Sequence, residues 1–286
     1  MNYRHAFHAG NHCDVLKHAA LVLILARLAA KDKPFAVLDT HAGRGVYDLE
    51  SDAARRSAEH LGGIGRVFEM AAPPPAIEPY LAAVRWHNPF GGLRWYPGSP
   101  AIIRDALREG DDLKLCELHP EEREALTTAM AGDARVRIFG RDGYQAVRAF
   151  LPPAARRGLV VIDPPFEAPG EYARLAEALR DGLKRWASGT FMIWHPLKDA
   201  RGYADFLHTV HVLAPPRLLT AELMVKADAP GVLSGSGLVV VNPTFGLADS
   251  LREILPFLAE VLGAGEGPGW RLRAEEAGEM MIDAQG

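Results

Sequence analysis

The sequence predicts an α/β fold: a mostly parallel, doubly wound sheet of the Rossmann-like kind. Three observations carry that expectation. Short apolar runs recur along the chain with helical patterns between them, as strands buried on both faces and joined by crossover helices require. The first run ends in a glycine turn, Gly43-Arg44-Gly45. Later runs end in or just before acids, which places carboxylates at the carboxyl ends of strands, where open α/β sheets bind ligands.

The elements follow in order. A first helix is expected over Asp14–Ala30, with Asp14 as its N-cap. Phe35–Asp39 reads as a buried strand leading into His41-Ala42-Gly43-Arg44-Gly45. Further strands are expected at Leu113–Glu117, Val136–Phe139, Gly158–Asp163 and Thr190–Trp194, with helices such as Glu121–Met130 and Glu171–Trp186 between them. Ala221–Lys226 and Gly237–Val241 flank a short Gly/Pro/Ser-rich loop, which predicts a hairpin and an antiparallel edge strand. The stretch 46–108 breaks the rhythm, because a simple βαβ step needs only about 30 residues. Its prolines and aromatics, including Leu93-Arg94-Trp95-Tyr96-Pro97, are read as a helical subdomain inserted after the first strand of an otherwise single domain over 1–286.

Composition narrows the class. The chain has 286 residues, 48% hydrophobic and 24% charged, an ordinary globular balance that can bury a core without staples. Two cysteines, Cys13 and Cys116, stand far apart. That argues against a disulfide framework or structural zinc and fits a reducing cytoplasm. The opening residues lack a signal-peptide pattern, and the apolar run Leu21–Ala30 is too short for a bilayer. A net charge of −4 gives no global nucleic-acid signature. Locally, Arg135, Arg137, Arg141, Arg148, Arg156 and Arg157 face only Asp133 and Asp142 over 131–160. That is either a basic face for RNA or DNA or an ordinary solvated surface. His5, His8, His12 and His18 lack the carboxylate-supported spacing of a metal site.

The chemistry gathers at the strand ends. Glu117 can accept hydrogen bonds from two ribose hydroxyls, and Asp142-Gly143 could meet an adenine amino group. The specific signal is Asp163-Pro164-Pro165-Phe166 after the fourth strand. An amino nitrogen conjugated to a purine is a poor nucleophile. An Asp163 carboxylate and a Pro164 carbonyl accepting its two N–H bonds would draw the lone pair out of the ring and aim it at a methyl donor. Consecutive prolines stiffen the loop, and Phe166 offers a face for the base. Asn242-Pro243-Thr244-Phe245 looks similar but follows the last strand of the pattern, and is read as a turn.

These residues together resemble the bacterial 23S ribosomal RNA adenine-N6 methyltransferase family that modifies adenine 2030. The likeness rests on the segment from Tyr3 to His18, on Leu38-Asp39-Thr40-His41-Ala42-Gly43, Tyr96-Pro97-Gly98-Ser99-Pro100, Glu117-Leu118-His119-Pro120 and the Asp163 loop. The resemblance implies the Rossmann-like class I methyltransferase fold, with a seven-stranded sheet. It implies S-adenosyl-L-methionine as cofactor, with S-adenosyl-L-homocysteine as product, and 23S ribosomal RNA, naked or partly assembled, as partner. It further implies a cytoplasmic monomer without metal, membrane attachment or obligate protein partner. Carried over by residue, Lys17 and His18 would lie near the methionine moiety. His41 would sit in the glycine turn, Ser99 in the same pocket, Glu117 on the ribose, and Asp142 and Gly143 at the adenine. Asp163 would be catalytic and would border the cofactor. Tyr3, Pro164 and Phe166 would meet the RNA. Phe166 stands where tyrosine is commoner, which keeps stacking and loses a hydroxyl.

Two other readings share parts of this pattern. A DNA adenine methyltransferase would use the same loop. A silent RNA-binding protein could keep the scaffold, although the intact Asp163 argues against it.

Overall fold

The computed structural model describes residues 4–227, 232–276 and 279–285. A short 3-10 turn (His5–Phe7) precedes helix α1 (His12–Ala29), whose N-cap is Asn11, not Asp14. The Asn11 side chain accepts from the backbone N–H groups of Cys13 (3.0 Å) and Asp14 (3.1 Å), which satisfies two donors at the helix start. Asp14 sits inside the first turn, 1% exposed, with other partners. Its type invites the N-cap assignment, but its burial gives the carboxylate a different task.

Strand β1 (Ala36–Asp39) is buried throughout. The segment after it holds β2 (Val46–Asp48), the short helices α2 (Asp52–Ser57) and α3 (Ile64–Phe68), then α4 (Glu78–Trp86) and β3 (Trp95–Pro97). β2 and β3 pair antiparallel as a separate two-stranded sheet, so this stretch is not purely helical. Helix α5 (Ser99–Ala106) packs on α1 and is the crossover to β4 (Asp112–Cys116). There follow α6 (Pro120–Ala129), β5 (Val136–Phe139), α7 (Gly143–Phe150), β6 (Gly158–Ile162), α8 (Glu171–Arg185), β7 (Thr190–Leu197) and α9 (Ala200–Val212). The chain closes with β8 (Arg217–Met224), β9 (Gly235–Val241), α10 (Leu247–Leu262), β10 (Gly269–Glu276) and β11 (Glu279–Gln285).

The main sheet has the order β11-β10-β8-β9-β7-β6-β1-β4-β5. From β5 to β7 the strands run parallel, and from β7 onward neighbours are antiparallel. Its seven strands from β5 to β8 form the expected Rossmann-like class I methyltransferase sheet, with the β8–β9 hairpin in place. β10 and β11 then extend it past β8, so that hairpin lies within the sheet rather than at its edge. The acidic C-terminal stretch is thus a strand pair, in which Trp270 and Leu272 are buried and Arg271 and Arg273 point out.

Period-two alternation splits the core. Val37, Leu113, Leu115, Val161 and Met192 face the layer of α1, α5 and α10. Leu38, Val160, Ile162, Phe191 and Ile193 face α7, α8 and α9. The β1 register sets Asp39 beside Leu115 on one neighbour and Val161 on the other. The chain segments leaving β1, β4 and β6 therefore emerge at one edge, where the strand order reverses direction.

Candidate active site

That edge opens into a cavity of about 560 Å³, a size typical of small-molecule sites. Lys17, His18, His41, Ser99 and Glu117 line it, as do Asp142, Gly143, Asp163, Pro164 and Phe166. Sequence reasoning drew these from six separate stretches, and the fold brings them to one space. Tyr3, the remaining expected site residue, lies outside the described residues.

β1 ends in Asp39, which is fully buried beside the lining residues Thr40, His41 and Ser99. Ser99 Oγ donates to its Oδ2 at 2.7 Å and the His41 N–H to its Oδ1 at 3.3 Å. Burial still pushes the Asp39 carboxyl up to about 7. Ser99 thus reaches the site as a partner of Asp39. Thr40 donates its hydroxyl to the Val161 carbonyl at 3.0 Å, so the 2.8 Å contact from His41 Nδ1 must carry the imidazole's own proton. That leaves Nε2 as an acceptor, and burial lowers the His41 pKa to about 4, keeping the ring neutral.

The glycine turn has a geometric cause. Gly43 adopts φ +63° and Gly45 φ +89°, the left-handed region. The turn sends the Gly43 N–H to Glu117 Oε2 at 2.8 Å, while Glu117 Oε1 accepts from the His119 N–H at 2.7 Å. Burial raises the Glu117 pKa despite these donors. Each Glu117 oxygen keeps a lone pair, which is what two ribose hydroxyls need.

Asp142 is the N-cap of α7. Its Oδ1 accepts from the N–H groups of Tyr144 (2.9 Å) and Gln145 (3.1 Å), and its Oδ2 meets Arg174 at 3.1 Å. Much of its capacity is therefore spent on the protein. Gly143 is required by packing, because a Cβ there would lie 2.1 Å from the Thr40 carbonyl oxygen.

The Asp163 loop leaves β6 opposite α1. Lys17 Nζ lies 2.5 Å from Asp163 Oδ2 and 2.7 Å from Asp14 Oδ1, with its side chain 5% exposed. Burial pulls the Lys17 pKa down, but the two carboxylates outweigh it and hold the group well above the ordinary lysine value. One of the three ammonium donors remains for a ligand. Among the described residues Asp163 Oδ1 has no donor. His18 Nδ1 meets the Tyr96 hydroxyl at 2.7 Å, which touches the Tyr80 hydroxyl at 3.1 Å. Burial drives His18 down to about 3, so it is neutral. Phe166 is half-buried at φ +50° and is held edge-to-face by Tyr172 (4.9 Å) and Trp194 (5.8 Å).

Several lining residues escaped the sequence reading. Asp14 was assigned to a cap, although its spacing of three from Lys17 puts both on one helix face. Trp194, Pro196 and Lys198 line the cavity because β7 runs on to Leu197, beyond its expected end. The arginine-rich stretch is largely spoken for. Arg135 pairs with Asp133, Arg137 with Asp112, and Arg148 with Asp181, while Arg157 bonds backbone carbonyls of α1 and Lys33. Arg141 alone of the six lines the cavity. Asn242-Pro243-Thr244-Phe245 follows β9, whose end pairs with the start of β7, away from the cavity.

A family model described as Ribosomal RNA large subunit methyltransferase D, RlmJ, matches residues 32–273. A curated relative from Escherichia coli (strain K12), named Ribosomal RNA large subunit methyltransferase J, is 41% identical over 93% of this chain and 96% of its own length. A relative of the same name from Haemophilus influenzae is 40% identical over 94% of this chain and 96% of its own length. The crystal structure of a Legionella pneumophila protein superposes with a TM-score of 0.86 at 31% identity, covering 94% of this chain and 98% of that one. With its strand order, its Asp163-Pro164-Pro165-Phe166 loop and these relatives, the chain belongs to the ribosomal RNA large subunit methyltransferase D, RlmJ, family.

Proposed function

We propose that this protein transfers a methyl group from S-adenosyl-L-methionine to the exocyclic N6 of adenine 2030 in 23S ribosomal RNA, acting as a monomer on naked or partly assembled RNA. One observation carries the reading: an Asp-Pro-Pro-Phe loop and a doubly capped Glu117 share one cavity in a chain of this family.

The residues present fit the cofactor. Glu117 keeps lone pairs for the ribose, Lys17 keeps a donor for a carboxylate, and neutral His18 and His41 border the same space. Asp142 and Gly143 border the adenine end. When bound, S-adenosyl-L-methionine supplies an electrophilic methyl on a sulfonium. The chain's own task is to orient the amino nitrogen. Asp163 Oδ1 and the Pro164 carbonyl accept its two N–H bonds, which raises the lone-pair density and fixes its direction. Lys17 donates to the other carboxylate oxygen, which leaves Oδ1 as the acceptor for the amino group. Phe166 stacks on the base, a contact worth about 1–3 kcal/mol. A base reaches such a pocket only from a single strand or by leaving its stack. Tyr3 would approach the RNA from the N-terminal segment.

Labelled S-adenosyl-L-methionine, offered with deproteinised ribosomal RNA or with duplex DNA, tests the reading. Label in RNA is expected. Label in DNA alone would favour a DNA adenine methyltransferase, and label in neither with cofactor bound would favour a silent scaffold.

A further inference from the structure

Asp14 is a buried junction. Its Oδ2 accepts from His5 Nε2 and from the Gly10 N–H, each at 2.9 Å, and its Oδ1 accepts from Lys17 Nζ at 2.7 Å. Asn11 has taken over the helix cap, which frees this carboxylate from the helix end. Asn11 Nδ2 also donates to Glu59 Oε2 at 2.9 Å, and the Ile64 N–H donates to the Gly10 carbonyl at 2.8 Å. The turn that presents Asp14 is thus clasped by the segment between β2 and β3. A lysine stem is flexible, and its ammonium is a point charge without intrinsic direction. A carboxylate on one side of Lys17 is what can fix Nζ against the carboxylate on the other.

We propose that Asp14 is a positioning residue for the transfer reaction: by gripping Lys17 it pins Nζ on Asp163 Oδ2 and leaves Oδ1 as the one oxygen presented to the substrate amino group. This rests on the methyltransferase reading above. Asp14 acts through Lys17, since its two oxygens are taken up by Lys17, His5 and the Gly10 N–H. Without it, Lys17 can turn away, and the Asp163 carboxylate can rotate out of its accepting geometry.

A double-mutant cycle tests this, because residues acting through one another do not contribute additively. Asp14→Asn, Lys17→Met and the double variant are compared by kcat, by KM for ribosomal RNA, by cofactor Kd and by Tm. Asp14→Asn is expected to lower kcat by about 10- to 100-fold, as misplacing a catalytic group does, to weaken cofactor binding no more than Lys17→Met does, and to leave KM for ribosomal RNA little changed. The double variant is expected to match Lys17→Met. Multiplying losses, a kcat loss that simply follows Tm, or wild-type kcat would each overturn the inference. Should Asp14→Asn fail to fold, Asp14→Glu carries the test. Its anchor is displaced by one methylene, so kcat should fall at unchanged Tm, and wild-type kcat would count against the inference. A wild-type protein that methylates no nucleic acid would instead remove the functional reading, and this inference with it.

Discussion

Asp163 offers one oxygen to the cavity and has the other held by Lys17, a division of labour that substitutions can read. Asp163→Asn keeps the shape and replaces one acceptor by a donor. It should lower kcat by about 100-fold or more, the range seen when a single transition-state hydrogen-bonding group is removed. Cofactor binding by calorimetry should largely persist, and a turnover near wild type would refute the assigned role. Glu117 makes the opposite case. Glu117→Ala removes an acceptor worth about 1.5–3 kcal/mol per charged hydrogen bond, so cofactor Kd should rise by at least about tenfold. An unchanged Kd would place the ribose elsewhere. At this scale the sequence was legible wherever a residue type matched a strand end: Glu117 and Asp163 stand where such acids are expected to meet a ligand. It was not legible for Asp14, whose type suits a helix cap as well as it suits a buried anchor. Ser99 shows a similar limit, since its bond to Asp39 depends on α5 folding back against β1.

The elements that carry the cavity are held together by close backbone contacts. Gly143 opens α7 where a Cβ would meet the Thr40 carbonyl at 2.1 Å. Gly143→Ala must push α7 away from β1. It should lower stability by about 1–3 kcal/mol, the usual cost of overpacking, measured as a shift in the urea midpoint, and should weaken cofactor binding as well. Full stability in that variant would show that α7 can move without consequence. The strands were readable because their apolar runs are continuous, as burial on both faces requires. The β2–β3 pair was not, because three-residue strands leave no periodic trace. β10 was hidden by its charges: Arg271, Arg273 and Glu275 alternate with buried or half-buried residues, so no continuous apolar run marks it.

For the whole molecule, buried neutral histidines set the response to acid. His18 and His195 are driven down to about 3, and His41 to about 4, by burial. The unfolded chain takes up protons at these positions below about pH 6.5, while the folded chain does not. Their stabilisation is therefore complete above that pH and is lost as pH falls towards 4. Asp39, raised to about 7, opposes them, as do Glu117 and His8, which are also raised. Stability to urea should thus fall by on the order of 1–3 kcal/mol between pH 6.5 and pH 5, and a rise over that interval would contradict the neutral assignments. The same molecule-wide view limits what charge can say about RNA. Most of the arginine-rich stretch is committed to ion pairs and carbonyls, and among the described residues no helix is long and apolar enough to cross a membrane. The proposed reaction takes place in the pocket, so its product is the decisive observable. Wild-type protein and the Asp163→Asn variant, each incubated with transcribed 23S ribosomal RNA and S-adenosyl-L-methionine, can be compared by nuclease digestion and mass spectrometry. The account predicts N6-methyladenosine at adenine 2030 with the wild type and its near absence with the variant. A methyl group on another base, another atom, or in equal amount with both proteins would contradict it.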